Sequence, residues 1–155
     1  MKINYIKGDA TLPIGEGHKV ITHICNDKGG WGRGFVLAIS QKWQLPEIQY
    51  RKWFAGKENF GLGEVQFVDV APELTVANLI GQHGTKAKNG VLPIRYEAVK
   101  NGLKKVAIFA KSKAATAHMP RIGAGLAGGQ WEEIEKIIME ELIKAGIAVT
   151  VYDLN

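Results

Sequence analysis

Strand-like and helix-like segments alternate from one end of this 155-residue sequence to the other, with no Ser/Pro-rich linker, repeat or low-complexity tract between them. Strands separated by helices pair in parallel beneath covering helices, so the alternation restricts the chain to an α/β fold. Strand patterns run from Ile3 to Ile6, Val20 to Cys25, Val65 to Val68, Val76 to Ile80, Ala115 to Met119 and Ile147 to Tyr152. Phe35, Ile39 and Trp43 recur at helical spacing in a first helix. Pro46 suits the first position of a second helix, with Trp53 and Phe54 inward and Gly56 at its end. Pro93 opens a long third helix whose buried stripe is Tyr96, Val99, Leu103, Val106 and Ala110. Gly102 inside it costs about 1 kcal/mol relative to alanine. The last helix turns Trp131, Ile134, Ile138, Leu142 and Ala145 inward and stops at Gly146.

Length predicts one domain over residues 1–155, able to bury roughly 68–70% of its unfolded surface without metal or disulfide staples. The single cysteine, Cys25, excludes an internal disulfide framework, and Cys/His zinc spacing is missing, so no metal and no cofactor is expected. Neither a secretory leader nor a membrane-length apolar run is visible, and the expected location is the cytoplasm, with no membrane partner. Twenty Lys and Arg against fifteen Asp and Glu give +5, but the basic residues are scattered. Aromatic residues do not interleave with them as a stacking platform for single strands requires, so nucleic acid is unsupported as a partner.

The strongest functional signal is a glycine cluster that occurs twice, each time between a strand pattern and a helix pattern: Gly29, Gly30, Gly32, Gly34, and then Gly123, Gly125, Gly128, Gly129. Such loops either make tight turns or bring backbone amides close to phosphate oxygens. Neither cluster fits GxGxxG or the P-loop pattern, and no lysine follows the last glycine, which argues against a kinase or P-loop NTPase. Glu132 and Glu133 in the first turn of the last helix oppose anion binding there.

Polar residues at strand ends are further candidates, because ligands of open α/β sheets bind outside the carboxyl ends of the strands. Asp9 reads as a turn cap or as an acceptor for an exocyclic amine. Asn26 and Asp27 read as turn residues or as partners of ribose hydroxyls. His23 alternates with Ile21 and Cys25 on one strand face, as a buried histidine or a catalytic base. Gln82 and His83 form a candidate rim; Arg121 suits a phosphate or an acidic helix residue, and His118 shares that ambiguity.

Taken in order, these pieces resemble the macrodomain family, an ADP-ribose-binding α/β/α module. The resemblance covers essentially the whole chain and rests on Gly8, Asp9 and Ala10; on His23 to Asn26 running into Gly29 to Gly32; on Asn78 to Gly84; and on Met119 to Trp131. The region from Cys25 to Gly32 is similar to the yeast-type branch that hydrolyses ADP-ribose 1″-phosphate. The resemblance implies a three-layer α/β/α fold with a central mixed six-stranded sheet. It implies that Asp9 contacts the adenine amine, flanked by Gly8 and Ala10. It also implies that Gly32, Arg33, Gly34 and Phe35 wrap the diphosphate from one side, and Ile122, Gly123, Ala124, Gly125 and Leu126 from the other. Asn26 then faces the distal ribose with Trp31 and Gln82 nearby, and His23 and Asn26 form the catalytic pair.

A related branch uses a lysine near Gly81 and an aspartate in the second glycine loop, where this chain has Gln82 and Ala127, so that lysine-dependent mechanism is not expected. The expectation is therefore a hydrolase acting as an ADP-ribose 1″-phosphate phosphatase. The alternatives are an ADP-ribosyl hydrolase acting on ADP-ribosylated macromolecules and a non-catalytic ADP-ribose reader.

Overall fold

The computed structural model describes residues 1–154. Six strands form one sheet: β1 (Asn4–Lys7), β2 (Lys19–Asn26), β3 (Val65–Ala71), β4 (Leu74–Gln82), β5 (Thr116–Met119) and β6 (Val149–Asp153). Their order is β1-β6-β5-β2-β4-β3; every neighbouring pair is parallel except β3 with β4, so the sheet is mixed. The four helices are α1 (Phe35–Lys42), α2 (Leu45–Gly56), α3 (Tyr96–Lys113) and α4 (Trp131–Ile138).

The central strands are buried on both faces, and their alternation divides the core. Ile21 and Cys25 of β2 and Val76 and Ile80 of β4 join Val36, Ile39 and Tyr50 under α1 and α2. Val20, Ala77 and Leu79 join Val99, Leu103, Val106, Ile134 and Ile138 under α3 and α4. The result is the three-layer α/β/α arrangement that the family resemblance implies.

Four local expectations need correction. α3 starts at Tyr96 rather than at Pro93. Residues 93–95 are instead spent on the end of β4: the Pro93 carbonyl accepts from His83 N, and Arg95 N donates to the Gly81 carbonyl. Trp43 is not on the α1 stripe but is its extended C-cap. In α2 the fully buried face is Pro46 and Tyr50, with Trp53 and Phe54 half-buried at the margin. The last helix widens after Ile138 into a π-helical turn, Met139–Ile143, with Lys144 N bonded to the Met139 carbonyl. The extra residue per turn lets consecutive Leu142 and Ile143 both face the core. Gly102 also finds its reason, since a Cβ there would lie 2.4 Å from Leu79 Cγ where α3 crosses β4.

Parallel pairing gathers the carboxyl ends of β1, β6, β5, β2 and β4 along one edge, and both glycine loops emerge there.

Candidate functional site

The first loop is built on Asn26. Its side-chain Oδ1 accepts hydrogen bonds from Lys28 N (2.8 Å) and Gly30 N (3.1 Å), Nδ2 donates to the Gly30 carbonyl (2.9 Å), and the Tyr50 hydroxyl donates to the Asn26 carbonyl (2.6 Å). One Nδ2 hydrogen is left over. Trp31 is 3% exposed. Its indole N–H donates to Ser40 Oγ (2.7 Å), which donates in turn to Glu47 Oε1 (2.9 Å). Trp31 therefore plugs the loop from beneath.

Beyond Trp31 the chain turns up at Gly34, whose φ of +85° suits glycine, and enters α1. The amides of Gly32, Gly34, Phe35 and Val36 have no acceptor among the described residues. No acidic residue occupies the first turn of α1, so the positive end of the helix is uncompensated. Across from it, the second loop folds on itself through Gly128 N to the Gly125 carbonyl and Gly129 N to the Gly123 carbonyl. The amides of Gly125, Leu126 and Ala127 are likewise unclaimed among the described residues. The second loop does not run straight into a helix; α4 begins only at Trp131, and its acidic first turn lies beyond the loop.

The loops meet where a Cβ on Gly34 would lie 3.3 Å from Leu126 Cδ1. Two adjoining cavities lie here, sharing Ile24, Arg33, Val36, Gln82 and Leu126. One, about 320 Å³, is the outer in that the exposed Thr85 and Lys86 line it, and it also reaches Asn26, Trp31 and Gly32. The other, about 240 Å³, is the inner in that the buried His23 lines it, together with Gly34, Phe35, Ile122, Gly123 and Gly125. A wider, shallow groove of about 620 Å³ runs between α2 and β3, but none of the candidate residues lines it.

Most of the residues singled out from sequence thus converge. Gly8, Asp9 and Ala10 line neither cavity; they follow β1 on the same edge of the sheet, and Gly8 N donates to the Asp153 carbonyl of β6. Asp9 does make the turn cap, its Oδ1 accepting from Thr11 N (2.8 Å) and Thr11 Oγ1 (2.7 Å), which leaves Oδ2 open. Ala124 also lines neither cavity, its amide bonding the Arg121 carbonyl.

His23 is 1% exposed, its ring edge-on to Trp31. Nε2 lies 2.6 Å from Asn78 Oδ1, and burial lowers its pKa to about 4 although that hydrogen bond acts upward. Cys25 is buried beside it, and burial pushes the thiol up, out of the range of a reactive thiolate.

Three candidates are committed elsewhere. Arg121 touches the inner cavity, but its guanidinium pairs with both carboxylate oxygens of Asp153 (2.7 and 3.1 Å) and stacks over Tyr5 and Trp131. His118 is 3% exposed, held between the Tyr152 hydroxyl and Thr116 Oγ1 (2.7 Å each), and burial lowers its pKa to about 4. Asp27 accepts from His83 Nδ1 (2.7 Å) and Gly84 N (2.8 Å), clasping the ends of β2 and β4. Desolvation, the largest influence on Asp27, acts upward, yet those two bonds together hold its carboxyl below the usual value.

Lys86 and Thr85, in the loop after Gln82, line the outer cavity and escaped the sequence argument, because Lys86 is one of many scattered lysines. Among the described residues no three His, Cys, Asp or Glu side chains cluster as a metal site. No helix among them is long and apolar enough to cross a membrane.

No protein-family model matches the chain. Among curated proteins it is 34% identical over 160 residues to the chromodomain-helicase-DNA-binding protein 1-like of Mus musculus, matching 97% of this chain. The chain spans 17% of that relative's length. It is 27% identical over 145 residues to an ADP-ribose 1″-phosphate phosphatase of Candida albicans, covering 89% of this chain and 92% of the yeast protein. A solved macrodomain protein from Streptomyces coelicolor is 51% identical with a TM-score of 0.89, over 98% of this chain and 99% of that one. That likeness extends over nearly the whole of both chains, and the chain belongs to the macrodomain family.

Proposed function

We propose that the cleft binds ADP-ribose and that the protein hydrolyses ADP-ribose 1″-phosphate to ADP-ribose and inorganic phosphate. The observation that carries this reading is the meeting of two loops with unclaimed amides above cavities that hold Arg33 and Lys86. A diphosphate against those amides leaves the distal ribose over Asn26, whose spare Nδ2 hydrogen suits a hydroxyl, and brings its phosphate toward Arg33 and Lys86. Positioning and fixed positive charge are the main contributions a protein makes to phosphoryl transfer. His23, neutral at physiological pH, is in this reading the proton acceptor, and the open Oδ2 of Asp9 takes the adenine amine. The phosphatase named in Candida albicans, similar over 89% of this chain, supports the same substrate.

One observation favours a second reading, a non-catalytic ADP-ribose reader: no exposed side chain lining either cavity is a His, Cys, Asp or Glu. Phosphate release from ADP-ribose 1″-phosphate decides between them. Release above the no-enzyme control supports the phosphatase; tight binding of ADP-ribose without release supports the reader. Free ADP-ribose produced from a modified macromolecule instead points to an ADP-ribosyl hydrolase.

A further inference from the structure

His23 Nδ1 is buried and has no hydrogen-bond partner, one of two such side-chain atoms among the described residues. A buried polar atom without a partner is costly, and one on a residue that lines a cavity calls for a physical account. The account lies in a row of side chains at one register across three strands: Gln66 opposite Asn78, and Asn78 opposite His23. Gln66 Nε2 donates to the Gln49 carbonyl (3.0 Å), which turns Gln66 Oε1 toward Asn78. Asn78 Nδ2 donates to that Oε1 (3.1 Å) and to the Pro46 carbonyl (3.2 Å). With both amide hydrogens spent on acceptors, Asn78 can present only its oxygen to His23.

An amide oxygen only accepts, so at 2.6 Å the His23 Nε2 must carry the proton. The other tautomer would set two lone pairs against each other, with the Cys25 thiol 3.9 Å away as its sole alternative partner. We infer that Gln66 and Asn78 are positioning residues that lock His23 in the Nε2–H tautomer, leaving Nδ1 a bare acceptor for an O–H donor entering the inner cavity. That donor is a hydroxyl of the bound ligand or a water held with it, and this half of the inference rests on the ADP-ribose reading above.

Nitrogen-15 spectra of histidine-labelled protein test it, with the His23 signals assigned by their loss in His23→Gln. The free protein is expected to give a pyrrole-type Nε2 and a pyridine-type Nδ1; a protonated Nδ1 overturns the lock whether or not any ligand binds. Adding ADP-ribose is expected to move the Nδ1 signal. Movement with ADP as well excludes the distal ribose and assigns the donor to a water or an adenosine hydroxyl, and movement with ADP-ribose alone identifies the distal ribose. Binding that leaves Nδ1 unmoved overturns the acceptor role. Failure of ADP-ribose to bind overturns that role together with the proposed function, and the lock still stands or falls on the free-protein spectrum.

Gln66→Leu, which keeps the Asn78 bond to Pro46, supplies a second readout. It should release the Asn78 amide enough to populate the second His23 tautomer, and an unchanged nitrogen-15 spectrum of the folded variant counts against the ladder.

Discussion

At the scale of single residues, the two buried histidines tie stability to acid. His23 and His118 both have pKa values lowered to about 4 by burial, whereas an unfolded histidine titrates near 6.5. Between those values the unfolded chain binds more protons than the folded one. Stability is therefore fully present above about pH 6.5 and declines as pH falls toward 4, by about 1.4 kcal/mol per pH unit for each histidine. Asp27 and Asp153, held below the usual carboxylate range, add their losses lower still. Denaturant midpoints from pH 8 to pH 4 check this, and a stability unchanged down to pH 4.5 contradicts the assigned burial. Asp9→Asn separates the two roles of Asp9. Its Oδ1 keeps the Thr11 turn, so melting should be unaffected, while ADP-ribose binding should weaken by roughly 1–3 kcal/mol if the open oxygen holds the adenine amine. Calorimetric titration of the folded variant reads this directly. The alternation around His23 revealed its burial, but Arg121 misled: its partner Asp153 lies on the last strand, 32 residues away, where no local pattern records it.

At the scale of elements, the α3 and β4 pair makes the sharpest demand. Gly102→Ala would force a methyl against Leu79, and overpacking of this kind costs about 1–3 kcal/mol, which offsets or exceeds the gain of about 1 kcal/mol in helix propensity. Thermal unfolding measures it; a more stable variant would mean that α3 can lift from the sheet freely. Gly34→Ala strains a residue at φ +85° and presses on Leu126, so it should loosen the junction of the two loops and weaken ADP-ribose binding with a smaller effect on melting. The six strands and four helices were legible because periodicity is set by which face each element buries. The start of α3 was not, since residues 93–95 make their bonds to β4, a non-local choice that overrides the proline signal. The π-turn after Ile138 was equally invisible, because Leu142 and Ile143 look like ordinary helical neighbours until the core shows that both are buried.

At the scale of the whole molecule, the scattered +5 charge becomes meaningful only when folding brings Arg33 and Lys86 to one cavity from loops over 50 residues apart. Lys86→Ala should weaken binding of ADP-ribose 1″-phosphate by up to about fivefold, the scale of an exposed charge pair, and leave ADP-ribose nearly unchanged. Equal losses for both ligands would put Lys86 on the diphosphate instead. The sequence order of the glycine clusters announced the cleft, but its partition into an outer and an inner cavity depends on how Gly34 meets Leu126 and was not readable from spacing. The central claim is that the cleft recognises ADP-ribose through its diphosphate and distal ribose. Calorimetric titration with ADP-ribose, with AMP as the ligand lacking the second phosphate and that ribose, tests it most directly. The account predicts a clear preference for ADP-ribose; equal affinity for the two, or no binding of either, would contradict it and leave the two loops as turns.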